Sequence, residues 1–408
     1  MPLAPTAEQQ ARMLDFYYAS FSHDVSLMTG LDLANTSVSA QVPLEIADLD
    51  GSPLFRDFAI AGADGRRVGV LRSSARGAAL PLIDAIMIGQ ALFDPEVAER
   101  DCQARAAAEY PGATVRSRGF VCYGYPRIGV SIDVTRGGQV IRAIYDAHMT
   151  ALVRELPAGA ARPATDAGVR RGEEGEPFYS YSAQLPEAGE VPPFADEWQR
   201  AARHMTNVTR VLAHRGVTFR PATAEPPSDR LPPTRAEDAL EDFRPAMQGV
   251  TLPIGLIGQE TPVFCAVATI KMILGYLGFH DPTQAVIAQA VRTGATGTTN
   301  DNMIRGLNEL TGGKWAATLV DRPTLGDSSQ YLGGFVPAKS GIPGHARLLR
   351  GYREYVYRDP TTGLPSLRQS FYLVNDPYPT RNGQYAMENA QKPIDDFYRN
   401  LLKLQPAT

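Results

Sequence analysis

The chain has 408 residues, 44% of them hydrophobic and 21% charged, with a formal net charge of −4 at neutral pH. That length accommodates two or three domains with cores of their own, and the balance of apolar and charged residues excludes a disordered chain. It also excludes a general nucleic-acid binder, since no basic run is long enough to neutralise several phosphates.

The charge is unevenly spread. Residues 1–250 carry 25 basic and 32 acidic side chains (25 − 32 = −7) and residues 251–408 carry 15 and 12 (15 − 12 = +3), so the two portions should attract one another. In chain order, residues 1–29 are an N-terminal helical segment in which 8–22 read as a short amphipathic helix. From about residue 54, "LFRDFAIA", the turn "GADG" and "RRVGVLRSS" read as a hairpin. Helices are expected over "PLIDAIMIGQALFD" and "PEVAERDCQARAAAEY". Strand pattern returns in "TVRSRGFVCYGYPRIGVSIDVT", the turn "RGG" and "QVIRAIYDAHM". Residues 30–155 are therefore expected to form a small α+β domain of antiparallel strands and helices, with no chemistry that the sequence names. Residues 156–250 are rich in Pro, Ala, Gly and charge and read as a linker, interrupted by one helix near 193–215. Residues 251–408 are apolar and periodic again and form a second domain. The N-terminus lacks a signal-peptide pattern, and no window approaches eighteen uninterrupted apolar residues, so no membrane span is expected.

Cys102, Cys122 and Cys265 are too few for a disulfide scaffold, and no Cys/His cluster has zinc-ligand spacing. Cys102 and Cys122 are free to pair in an oxidising compartment, which leaves Cys265 as the odd thiol. Cys265 sits in "GQETPVFCAVATIKMILGYLG", where Thr261 is suited to cap a helix and Pro262 to occupy its first position. Val263, Val267, Ile270, Leu274 and Leu277 make one apolar stripe, and Cys265 lies off it, in the first turn. There the unpaired N–H groups and the positive end of the helix dipole favour a thiolate.

A nucleophilic thiolate needs a base, the base needs an orienting partner, and the developing oxyanion needs donors. Gln259, just before the helix, can share an oxyanion hole with the Cys265 amide. Of six histidines, His345 begins a strand-like run directly after a Gly/Pro turn; the other five have no acid or cysteine at ligand spacing and read as structural or solvated. If "HARLLRGYREYVY" and "SFYLVNDPYP" pair as a hairpin around "RDPTTGLPS", facing residues have a nearly constant sum of numbers, and the pair His345 and Asp376 (sum 721) centres the hairpin within "DPTTG".

These segments carry a resemblance. "GQETPVFCAVATIKMIL" is similar to the Gln-x5-Cys helix entry of papain-like cysteine peptidases. "GHARLLRGY" resembles their His-Ala strand, and "FYLVNDPYP" the Asp-Pro strand end of the bacterial branches that process double-glycine leader peptides or serve as plant-pathogen effector proteases. "GTTNDNMIRGLNELTGG" resembles the helix between them. The match covers roughly residues 250–400. It implies a papain-like C-terminal catalytic domain at 251–408, in which Cys265 is the nucleophile, His345 the general base and acid, Asp376 the residue that orients His345, and Gln259 the oxyanion donor. Asn375, next to Asp376, competes for the orienting role because papain itself uses an asparagine there. Ala266 stands where papain relatives commonly carry Trp.

The resemblance implies hydrolysis of peptide bonds in a polypeptide substrate, without metal or organic cofactor, in a bacterial cytoplasm or after export. Acyl transfer to an amine by the same triad and a non-catalytic effector module on a peptidase fold are the competing readings. Because pro-segments of this class lie across the cleft, the N-terminal region is expected to dock on the catalytic domain and restrain it.

Overall fold

The computed structural model describes residues 6–33, 35–39, 41–89, 93–157, 181, 193–217, 240–279, 281–321, 323–342, 344–391 and 400–407. The first portion runs α1 (Ala7–Thr29), β1 (Ser37–Val38), β2 (Leu44–Ala47), β3 (Pro53–Ala61), β4 (Arg67–Ser74), β5 (Ala85–Ile88), α2 (Pro95–Glu109), β6 (Thr114–Gly124), β7 (Arg127–Arg136), β8 (Gln139–Asp146) and β9 (Leu152–Pro157). Then come α3 (Ala195–His214), β10 (Ala246–Thr251), α4 (Cys265–Tyr276), α5 (Gln284–Ala290), α6 (Asn300–Leu310), β11 (Trp315–Asp321) and α7 (Leu325–Gly333). The chain closes with β12 (Ala338–Ile342), β13 (His345–Arg358), β14 (Pro365–Asp376), β15 (Gln384–Asn389) and β16 (Asn400–Pro406). This is a mixed helix-and-sheet fold with one large, mostly antiparallel sheet; the β2–β6 pairing is parallel. Among the described residues no helix is long and apolar enough to cross a membrane.

The sheet is continuous across the chain. Its order is β11-β16-β12-β13-β14-β15-β5-β4-β3-β2-β6-β7-β8-β9, with β1 on β3 and β10 on β13. The junction is β5 against β15, where Ala85–Ile88 face Tyr385–Glu388. Alternation along the central strands sorts their side chains onto two faces. Ile86, Ile88, Phe371, Leu373, Tyr355 and Tyr357 join α1 and α3 in one core. Met87, Val70, Tyr372, Val374, Leu348 and Leu349 join α4, α5 and α6 in another. Both portions of the chain therefore contribute to both cores.

Several expectations are corrected here. The helix at 8–22 extends over Ala7–Thr29, opened by a Thr6–Gln9 capping box and closed at Gly30, whose φ of 69° suits glycine. It is buried on most sides: Phe16, Tyr17, Tyr18 and Phe21 are at most 2% exposed, each contributing roughly 1.5–3 kcal/mol by burial. The described residues of "PLIDAIMIGQALFD" do not form the expected helix; Ala85–Ile88 is a strand hydrogen-bonded on both edges, by β4 and β15. Its uninterrupted apolar run suits a strand with both faces covered. The stretch expected as linker supplies β10, paired with β13 from Ala246↔Val356 to Thr251↔Gly351. It also supplies α3, close to the expected span; the remainder of 158–239 lies outside the described residues, apart from Tyr181 and the segment around α3. Cys102 and Cys122 are both buried free thiols.

The β13–β14 hairpin forms, but its register differs. Leu348 faces Asn375 (348 + 375 = 723) and Gly351 faces Leu373 (351 + 373 = 724), with irregularities between Leu349 and Gly351 and between Tyr357 and Arg358. The sum expected for His345 and Asp376 was 721. His345 is paired instead with Ile342 of β12, and Asp376 with Gln384 of β15.

Candidate active site

Helix α4 begins at Cys265 itself. Phe264, not Thr261, is the residue before the helix, and no side chain caps it. Thr261 accepts the Phe264 N–H through its carbonyl in a preceding turn (3.1 Å), and its hydroxyl is buried with no partner among the described residues. This later start leaves Cys265 at the first helical position, where the amides lack intrahelical acceptors and the dipole is strongest. Val267, Ile270 and Leu274 bury the helix in the second core, as the apolar stripe anticipates. Thr269, one turn along, donates from its hydroxyl to the carbonyl of Ala346 (3.3 Å), which fixes α4 beside the start of β13.

That register places His345 at the mouth of the helix. Its Nε2 lies 2.7 Å from Oδ1 of Asp376, and the ring lies near enough to Cys265 for each group to shift the other's titration. Although the ladder does not set His345 directly opposite Asp376, a diagonal contact between neighbouring strands is within reach of a histidine. Asp376 is fully buried, and the same Oδ1 accepts the backbone N–H of Tyr378 at 2.9 Å. Asn375 points elsewhere: its Nδ2 donates to the carbonyl of Ile254 at 3.0 Å and anchors the loop leading to Gln259. Asp376 is thus the carboxylate beside the imidazole.

The electrostatics separate the three thiols. Burial pushes Cys102 and Cys122 up to about 12. Burial also raises Cys265, but the hydrogen bond and charge of His345, the N–H of Ala346 and the charge of Arg127 outweigh it, and the thiol falls below its usual range. Conversely, burial depresses the His345 imidazole, while the charge and hydrogen bond of Asp376 and the Cys265 sulfur together raise it above its usual value. The two shifts favour a thiolate–imidazolium pair. Cys265 is the partly exposed cysteine of the three.

Gln259 is buried at the end of a tightly held loop. Its N–H donates to Pro377 O (2.9 Å), and its carbonyl accepts the Arg381 N–H (2.6 Å). Gln284 at the start of α5 clamps the same loop, donating from Nε2 to Gly258 O (2.8 Å) and accepting the Glu260 N–H (3.0 Å). The Gln259 side chain donates one bond, from Nε2 to Thr261 O (2.9 Å), which leaves a second amide proton. Its Oε1 is buried with no partner among the described residues.

The first portion of the chain reaches this site. The hydroxyl of Tyr378 donates to Oδ2 of Asp146, at the end of β8, and its ring stands edge-on to His345 at 6.2 Å and to His148 at 5.2 Å. Burial holds the His148 imidazole below its usual value, against the opposing charges of Asp146 and Asp376. The sequence reading set His148 aside and did not single out Asp146, Gln284 or Tyr378. Tyr378 could have been found from its place two residues past Asp376; Asp146 lies 232 positions away from its partner and leaves no local trace. Compared with known proteins, the chain matches no family model and no curated protein sequence.

Proposed function

We propose that the chain is a cysteine peptidase that cleaves peptide bonds through an acyl-enzyme on Cys265. The observation that carries this reading is the His345 ring held 2.7 Å from the buried Asp376 carboxylate and acting on the thiol of Cys265, the first residue of a helix. The thiolate attacks the scissile carbonyl, forming a C–S bond, and the oxyanion is met by the Cys265 N–H and the remaining Gln259 amide proton. The His345 imidazolium gives its proton to the amine as the C–N bond breaks. A water then attacks the thioester, its proton passing to the neutral imidazole, and the carboxylic acid product leaves as the thiolate re-forms. Asp376 holds the ring and stabilises its charged form throughout. Peptide bonds are chosen among acyl compounds on the resemblance of the Gln259, Cys265, His345 and Asp376 segments to papain-like peptidases.

The test is a peptide library incubated with full-length protein and with Cys265→Ala, products being read by mass spectrometry. Cleavage by the parent and less than about a hundredth of it in the variant is expected, because only oxyanion and binding effects survive loss of the nucleophile. Equal cleavage by both would overturn the proposal.

A further inference from the structure

We propose that the first portion of the chain completes the catalytic centre, with Asp146 as a positioning residue that holds Tyr378 and, through it, Asp376. This rests on the peptidase reading above.

Asp146 is a fully buried carboxylate with four donors. Oδ2 accepts the hydroxyls of Tyr123 and Tyr378, each at 2.5 Å, and Oδ1 accepts the N–H groups of His148 (2.9 Å) and Met149 (2.8 Å). Two of those donors come from the turn that Asp146 itself begins, so its position is set by β8 and its loop. Bonds to a buried carboxylate are of the strong, charge-assisted kind. Tyr378 is therefore pinned at both ends. Its hydroxyl is fixed on Asp146, and its N–H donates to the Asp376 oxygen that also receives His345. The hydroxyl of Thr380 meets the Met149 sulfur at 3.3 Å, a second tie between the same loops.

The sheet gives this link its rigidity. β5 hydrogen-bonds β15, which pairs with the Asp376 end of β14, so the carriers of Asp146 and Asp376 belong to one framework and not to a tethered pair. Among the described residues, the charged and titratable groups of the first portion that act near the triad include Arg127, Asp146 and His148, with Arg67 and Arg72 acting on His148 and Tyr123 between Arg127 and Asp146. Asp146 and His148 reach the triad through Tyr378, whose ring stands beside His345 and whose N–H meets Asp376.

A matched pair of variants tests the assignment in the full chain. Tyr378→Phe and Tyr123→Phe each remove one hydroxyl from the same oxygen of Asp146 and keep the ring, but only Tyr378 touches Asp376. The readout is the rate of alkylation of Cys265 by iodoacetamide as a function of pH, which needs no substrate, together with the melting temperature. Similar losses of melting temperature are expected in both variants. Alkylation at neutral pH should slow by about fivefold or more in Tyr378→Phe and stay within about twofold of the parent in Tyr123→Phe, as positional effects on reactivity require. Asp146→Asn, which keeps an acceptor but loses the charge, should follow Tyr378→Phe. Equal slowing in the two tyrosine variants, or slowing in neither, would overturn the inference. A parent protein whose Cys265 reacts no faster than free cysteine would instead overturn the peptidase reading.

Discussion

Gly258→Ala should disable the site without touching any residue that does chemistry. A methyl group at this position would lie 2.6 Å from the Arg381 carbonyl carbon, 2.7 Å from Asn382 N and 2.8 Å from Arg381 O. All three are backbone atoms, and ordinary contact begins at 3.4 Å, so the two loops must separate by about 0.8 Å (3.4 − 2.6). Gly258 is not among the glycines in the left-handed region, so the cost is steric crowding and not backbone strain. Neither loop yields easily, because Gln259 is bonded to Pro377 O and to the Arg381 N–H, and Gln284 holds Gly258 and Glu260 from the other side. Overpacking of this kind costs about 1–3 kcal/mol of stability. Moving Gln259 and the 376–381 turn apart by most of an ångström should lower kcat/KM by roughly 10- to 100-fold, since misplacement on that scale costs up to about two decades. The assay is kcat/KM on one peptide from the library screen, with thermal melting to confirm folding. Activity within about twofold of the parent, at an unchanged melting temperature, would refute the role given to this loop.

Removing the clamp from the far side, by Gln284→Leu, should act in the same direction and reduce kcat by about tenfold, with KM nearly unchanged if the loop serves the transition state; a change in KM alone would contradict this. Asn375→Ala should cost about 1–3 kcal/mol in denaturant unfolding, because the buried Ile254 carbonyl loses its donor. It should leave Cys265 reactive, whereas Asp376→Ala should not; the reverse pattern would return the orienting role to Asn375. Stability should also depend on pH through His345. Its imidazole is raised above the usual 6.5 by Asp376 and Cys265 against the cost of burial, so its contribution is complete below 6.5 and is lost as pH rises through the folded value. The melting-temperature advantage of the parent over His345→Gln should therefore persist through pH 6.5 and be lost only at higher pH, and an advantage already lost at pH 6.5 would contradict the raised value.

The residues of the site were legible for local reasons. A cysteine at a helix entry, a histidine after a Gly/Pro turn and an Asp-Pro at a strand end each announce themselves within a few positions, and the hairpin between the last two brings His345 and Asp376 together. Its register was not legible: facing residues sum to 723 or 724 and not 721, and the irregularities at Leu349–Gly351 and Tyr357–Arg358, which each move the pairing by one residue, leave no local signal. Thr261 looked like a cap because its residue type suits one, yet the chain spends 261–264 on a turn and starts the helix at Cys265. The apolar run around Ile86 fits a helix or a buried strand equally well by periodicity, and only its neighbours β4 and β15 decide the matter. The same distant pairing joins the two portions of the chain, and no composition shift reports it. Asp146 illustrates the limit most clearly: it ends an ordinary strand, and its importance lies in Tyr378, which folding alone brings near.

The most direct measurement of the central claim is the site and rate of iodoacetamide labelling of the native full-length protein at neutral pH, followed by peptide mapping. Cys265 should be modified faster than free cysteine, and Cys102 and Cys122, buried with thiols near 12, should remain unmodified until the protein unfolds. His345→Ala should abolish the advantage, because it leaves the thiol with the burial that raises it and without the ring that lowers it. Labelling of Cys265 no faster than that of free cysteine, or an undiminished rate in His345→Ala, would contradict the thiolate–imidazolium pair on which the proposed peptidase activity depends.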